Sequence, residues 1–265
     1  MSYQIIVCAS IVPDPLQTLE PVAGPSLKNE MMLPAVLDPW AAHALYEAAN
    51  LAKSQPGSKV YLVSIGPKAK LQQVMMTVAQ KVPFELIAVD GSSSGFTDAD
   101  ETAHALADAI RSIAGLDKSK ALIFGGWESA SRGAGATMQI LGEILGITDQ
   151  FQGVDKITVN PEGSFEILER IEGGRHQVSL CLGAPAILGW ATGHLGEPRN
   201  DPQVGMANMR TIMPALQKAK PAKIGADGLT YVKVELPKQQ RETRIVKDAS
   251  ADDIANEIVA WIGQE

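Results

Sequence analysis

Over the first 146 residues, short apolar runs alternate with helix-like segments, and this alternation limits the chain to few architectures. QIIVCAS (4–10), SKVYLVSIG (58–66), FELIAVD (84–90) and KALIFGG (120–126) have strand length and are too short for buried helices. Between them, Asp38-Pro39 opens a helix, with Asp as N-cap and Pro in the first turn, that carries Ala44, Leu45, Ala48 and Leu51 on one face. Residues 68–80 and 98–113 form two more helices. Residues 11–37, with Pro13, Pro15, Pro21, Pro25 and Pro34, read as irregular. Strands alternating with helices predict a parallel sheet with right-handed crossovers, in which 58–66, 84–90 and 120–125 are neighbours.

The pattern changes after residue 146. ITVN (157–160), FEILERI (165–171), HQVSLCL (176–182) and PAILGWA (185–191) follow one another through short connections and read as antiparallel strands, with Gly173-Gly174 at a hairpin tip. Residues 196–229, broken by Gly196, Pro198, Pro202, Gly205 and Pro214, read as loop. YVKVEL (231–236) reads as a strand. A last helix follows, with Ser250 and Asp253 as a capping pair and Ile254, Ile258 and Trp261 on one face. A helix this short must bury that face on its own core or on a partner chain.

GGWESASRGAGATMQILGEILG (125–146) joins a strand to an amphipathic helix through small residues and one arginine. Ser129 and Ser131 are the candidate N-caps. Free N–H groups at a helix start favour an anion, Gly133 and Gly135 permit close approach, and Arg132 adds a bidentate donor for phosphate. The turn matches neither G-x-x-x-x-G-K-[ST] nor G-x-G-x-x-G, so a plain strand-to-helix loop is the alternative.

Net charge is −7, with no long Lys/Arg block, which argues against nucleic acid as the main partner. Cys8 and Cys181 sit in apolar runs and read as reduced core residues. No run reaches transmembrane length, and MSYQIIVCAS lacks the basic and apolar regions of a signal peptide, so a cytoplasmic location is expected. His43, His104, His176 and His194 are dispersed, with no H-x-x-x-H, C-x-x-C or G-x-S-x-G. Asp98, Asp100 and Glu101 read as a helix start, and Glu128 as polar lining of the turn. The expectation is a binding subunit with no catalytic residues of its own, any chemistry coming from a bound cofactor.

Several segments together resemble the β subunit of electron transfer flavoproteins: IIVCASIVPD, LDPWAAHALYEA, VYLVSIGP and, most specifically, ERIEGGRHQVSLCLGAPAIL followed by LGEPR. The order matches over about residues 3–225, and the tail resembles an arm found in some bacterial members. The resemblance implies a mostly parallel, Rossmann-like, adenine nucleotide alpha hydrolase-like α/β domain over 1–190. A partner-recognition loop and linker over 191–229 and a C-terminal arm over 230–265, packing on an α subunit, would follow. It further implies a heterodimer carrying electrons from dehydrogenases through FAD, bound mainly by the α subunit, to a quinone oxidoreductase or other acceptor, with AMP in the β chain.

By that resemblance the AMP contacts fall on Cys8 and Ala9, on Asp38, Pro39, Trp40 and Ala41 (where the family usually has Asn-Pro-Phe), and on Ile65. They continue through the loop at Gly126, Trp127, Ser129, Ser131, Arg132, Gly133, Ala134, Gly135, Ala136, Thr137 and Met138. The loop lacks the aspartate run of many members. Leu195 matches the apolar anchor of the docking loop, with Glu197, Pro198 and Arg199 beside it, and packing of the loop base is the alternative. NDPQVG (200–205) reads as an insertion there that would alter partner choice. A bifurcating relative with a second FAD, and a non-redox nucleotide-binding module, are the competing readings.

Overall fold

The structure, a computed structural model, describes residues 1–22, 24, 26–92, 96–131, 133, 135–225, 232–236, 238 and 243–263. Its contacts divide the chain into two units, Met1–Val234 and Glu235–Glu265.

The first unit begins with β1 (Gln4–Cys8), followed by a ribbon of β2 (Ile11–Pro13) and β3 (Ala35–Leu37). Then come α1 (Pro39–Ser54), β4 (Lys59–Gly66), α2 (Lys68–Val78), β5 (Glu85–Asp90), α3 (Ala99–Arg111), β6 (Ala121–Gly126) and α4 (Thr137–Leu145). The later elements are β7 (Gln150–Val159), β8 (Phe165–Ile171), β9 (Arg175–Cys181), β10 (Ala186–Trp190), α5 (Pro202–Gln217) and β11 (Lys220–Pro221). One nine-stranded sheet runs β11-β5-β4-β1-β6-β10-β7-β8-β9. Its pairs are parallel from β11 to β7 and antiparallel from β7 to β9.

β1 is central because it is apolar on both faces. Ile5 and Val7 enter the core beneath α1, α2 and α5, while Ile6 and Cys8 enter the core beneath α3 and α4. The mostly parallel α/β sheet is therefore as expected, and 59–66 and 85–90 are parallel neighbours. The expected adjacency of 120–125 to 58–66 is corrected: β1 lies between β4 and β6, pairing with both.

Four further expectations change. Residues 11–37 contain the β2–β3 ribbon. PAILGWA is not antiparallel: β10 is fully buried and pairs in parallel with both β6 and β7. It can do so because β7 starts at Gln150, before the run read as its beginning; Gly153 (φ 68) bends it, so its first half serves β10 and its second half β8. The stretch read as loop at 196–229 contains α5, and NDPQVG forms the cap and first turn of that helix. Asp201 accepts from the N–H groups of Gln203 (2.9 Å) and Val204 (3.3 Å), Pro202 takes the first turn, and Gly205 lets the helix approach Gln80. Residues 232–236 are not in a strand, and Tyr231 lies outside the described residues.

Asn208 fastens α5. Its amide donates to the carbonyls of Ala79 (2.7 Å) and Val82 (2.8 Å) and its Oδ1 accepts from Phe84 N–H (3.3 Å), all buried. In the hairpin, Asp155 of β7 accepts from Arg170 Nε (3.1 Å) and Nη2 (2.9 Å) and lies 3.0 Å from His176 Nε2. Burial pushes the Asp155 carboxyl up, but His176 and Arg170 outweigh it and hold it below the usual carboxylate range.

The second unit holds α6 (Ala251–Ile262). Ser250 caps it as expected, accepting from Asp253 N–H at 3.1 Å, and Ile254, Ile258 and Trp261 are 45, 48 and 76% exposed. Among the described residues no helix is long and apolar enough to cross a membrane.

Asn208→Leu leaves one buried N–H and two carbonyls without their partner and is expected to lower the unfolding free energy by about 3 kcal/mol in urea. Asp155 supplies stability above the ordinary carboxylate pKa, near 4, that is lost as pH falls through its lowered folded value. Asp155→Asn is therefore expected to be less stable than wild type at pH 7, with the gap closing below about pH 4.

Candidate functional site

The connection from β1 through α1 leads to β4, on one side of β1, while β6 pairs on the other. The chain thus reverses its winding between β1 and β6, and in open parallel sheets ligands bind at the carboxyl ends of the strands at such a point. Cys8 ends β1 and Gly126 ends β6. Above them open two adjoining cavities of about 60 and 20 Å³ that share Ser10, Thr102 and Ser129.

Glycines at the end of β6 let two helices converge here. A Cβ on Gly125 would strike the Met138 side chain of α4, and one on Gly126 would lie 2.6 Å from Trp40 Cβ at the start of α1. Asp38 ties the parts together. Its Oδ1 accepts from Trp40 N–H (3.1 Å), capping α1, while Oδ2 accepts from Ser129 Oγ–H and Ala130 N–H (3.0 Å each). The carboxyl is 4% exposed, and burial pushes its pKa above the ordinary value against the opposing pull of those hydrogen bonds.

Of the anticipated site residues, Cys8, Asp38, Ala41, Gly126, Ser129, Gly135, Thr137 and Met138 line the larger cavity, and Ile65 and Ser131 the smaller. Pro39 is the first residue of α1. Trp40 and Trp127 pack edge to face at 6.0 Å. Ala9 is buried, its carbonyl accepting from Ser64 Oγ–H at 2.6 Å. Gly133 adopts φ 62 and donates its N–H to the Ser129 carbonyl (2.7 Å). Arg132 and Ala134 lie outside the described residues.

The expected caps are corrected. α4 starts at Thr137, with Ala136 at its N-cap and no side-chain cap bond, because Ser129 is drawn to Asp38 and Ser131 to Ser129. Glu128 lines the cavity as read; Thr102 and Leu106 of α3, and Ser10, were not anticipated. Their signal was positional, since a helix following β5 must begin at the same sheet edge. For an adenine nucleotide, the α4 start suits a phosphate: a helix end with no side-chain cap, small residues around it, and Thr137 at the cavity wall. Among the described residues no group of His, Cys, Asp and Glu could hold a metal ion.

The anticipated docking residues lie on a separate, fastened loop. The buried Glu47 of α1 accepts from the N–H groups of His194 (2.8 Å) and Leu195 (3.2 Å). A Cβ on Gly193 (φ 62) would come within 2.6 Å of Glu47 Oε1. Lys81 pairs with Glu197 at 2.7 Å. Leu195 and Pro198 are partly buried, and Arg199 is exposed.

Comparison with known families gives a match to the electron transfer flavoprotein domain over residues 29–223. No curated protein matches the chain. The match takes in the site loop, the hairpin and α5, and the chain belongs to the electron transfer flavoprotein family.

Proposed function

We propose that this chain is the β subunit of a heterodimeric electron transfer flavoprotein, a cytoplasmic carrier and not an enzyme in its own right. It passes electrons from dehydrogenases, through FAD held mainly by an α subunit, to a quinone oxidoreductase or other acceptor. FAD, when bound, supplies the one- and two-electron chemistry; this chain positions partners and holds AMP.

The observation that carries the heterodimer is the outer face of β9. Val178 and Leu180 of β9, and Leu182 just beyond its end, recur at the strand period and are 66, 64 and 84% exposed, and Leu168 of β8 is paired with Val178. An apolar strip on the edge strand of a nine-stranded sheet calls for a covering surface. The apolar side of α6 supports a second contact with the same partner. AMP is assigned to the cavity at the start of α4, with its phosphate toward Thr137 and Met138. Dehydrogenase docking is assigned to the loop at Leu195, Glu197, Pro198 and Arg199, which Glu47 and Lys81 hold in place before any partner arrives.

Co-expression with the α subunit is expected to yield a heterodimer with one FAD and one extractable AMP. Two flavins would indicate a bifurcating carrier, and no flavin a non-redox module. Val178→Glu with Leu180→Glu is expected to abolish the heterodimer in sedimentation while the chain alone unfolds as wild type does. Intact heterodimer from the double variant would remove β9 from the interface.

A further inference from the structure

The cap of α1 needs only one oxygen of Asp38, and Trp40 N–H provides for it at 3.1 Å. The other oxygen receives the Ser129 hydroxyl and the Ala130 N–H together, each at 3.0 Å. A hydroxyl and a backbone N–H converging on one anionic oxygen, in a small-residue loop that leads into a helix, form the kind of donor set that receives a phosphate oxygen. Here the anion is the chain's own carboxylate. It lines the same cavity as Glu128, Gly135, Thr137 and Met138. A phosphate reaching for the Ser129 and Ala130 donors would meet Asp38 already on them, as a like charge in a poorly solvated site.

We propose that Asp38 is a built-in competitor for the nucleotide phosphate. Its carboxylate fastens the loop in the absence of ligand and sets how weakly the chain holds a phosphorylated ligand compared with the matching nucleoside. The proposal rests on the assignment of an adenine nucleotide to this cavity. Binding to the Ser129–Ala130 arm requires that arm to leave Asp38. The discrimination is by charge and donor occupancy, so it acts on the phosphate and leaves the nucleoside moiety nearly untouched.

Asp38→Asn separates the two duties of the residue. Asparagine caps a helix about as well as aspartate, so α1 keeps its start. With its oxygen on Trp40 N–H, it turns an NH₂ group toward Ala130 N–H, and the loop contact is lost. Asp38→Ser is the second variant, capping α1 with a neutral hydroxyl too short to span to the loop.

The test is calorimetric titration of the full-length heterodimer, stripped of adenine nucleotide, with AMP and with adenosine, for wild type and both variants; thermal unfolding verifies the fold. Both variants are expected to bind AMP about tenfold more tightly, with adenosine changed by less than about threefold. Equal changes for both ligands, or weaker AMP binding, would make Asp38 a strut or a ligand and overturn the proposal while leaving the nucleotide site standing. If none of the three proteins binds AMP or adenosine while the flavin is retained, the nucleotide assignment falls and the proposal with it.

Discussion

Asp38 is buried between the first turn of α1 and the loop that leaves β6, and its hydrogen bonds tie the two together beside the Trp40–Trp127 contact. Burying a carboxylate is unfavourable unless its lone pairs are satisfied, and N–H and O–H donors satisfy both oxygens here. The consequence is geometric. Ser129 and Ala130 are held over the ends of β1 and β6, and α4 starts at Thr137 with no side-chain cap at its N-cap, beside the cavity. Gly125 and Gly126 make this possible by letting Met138 and Trp40 close on the strand end.

The same device recurs at the docking loop. Glu47, also buried, accepts two successive backbone N–H groups at His194 and Leu195, and Gly193 gives the loop the close turn this needs. Both proposed recognition elements are irregular backbone held by a carboxylate from or beside α1. That helix lies against β1, β6 and β10, so the loops are referenced to the most buried part of the sheet. This gives them fixed shape without regular secondary structure of their own.

The parallel core was legible because its strands are apolar on both faces and its helices start with recognisable caps. Asp38-Pro39 caps α1 as expected, and the acidic cluster Asp98, Asp100 and Glu101 stands at a helix start as expected, with Asp98 as its cap. Asp201-Pro202 repeats the first of these signals, but Gly205 and Pro214 oppose a helix locally; Pro214 sits inside α5, where tertiary contacts such as those of Asn208 override the local cost. The direction of β10 was not legible, because a short apolar run is equally suited to either orientation and Gly153, thirty-odd residues earlier, decides its neighbours. Ser129 and Ser131 looked like caps because sequence shows a serine's capacity to accept but not the distant carboxylate it serves. The site residues on β1, α1 and the loop came from a family likeness, whereas Thr102 and Leu106 needed the packing of α3.

The central claim is that the start of α4, beside the loop fastened by Asp38, receives a nucleotide phosphate. Hydrogen–deuterium exchange of the heterodimer with and without AMP tests it most directly. The account predicts that AMP slows exchange at Thr137, Met138 and Gln139 and leaves the amides of β8 and β9 unchanged. No slowing at the start of α4, with protection appearing elsewhere on the chain, would contradict it.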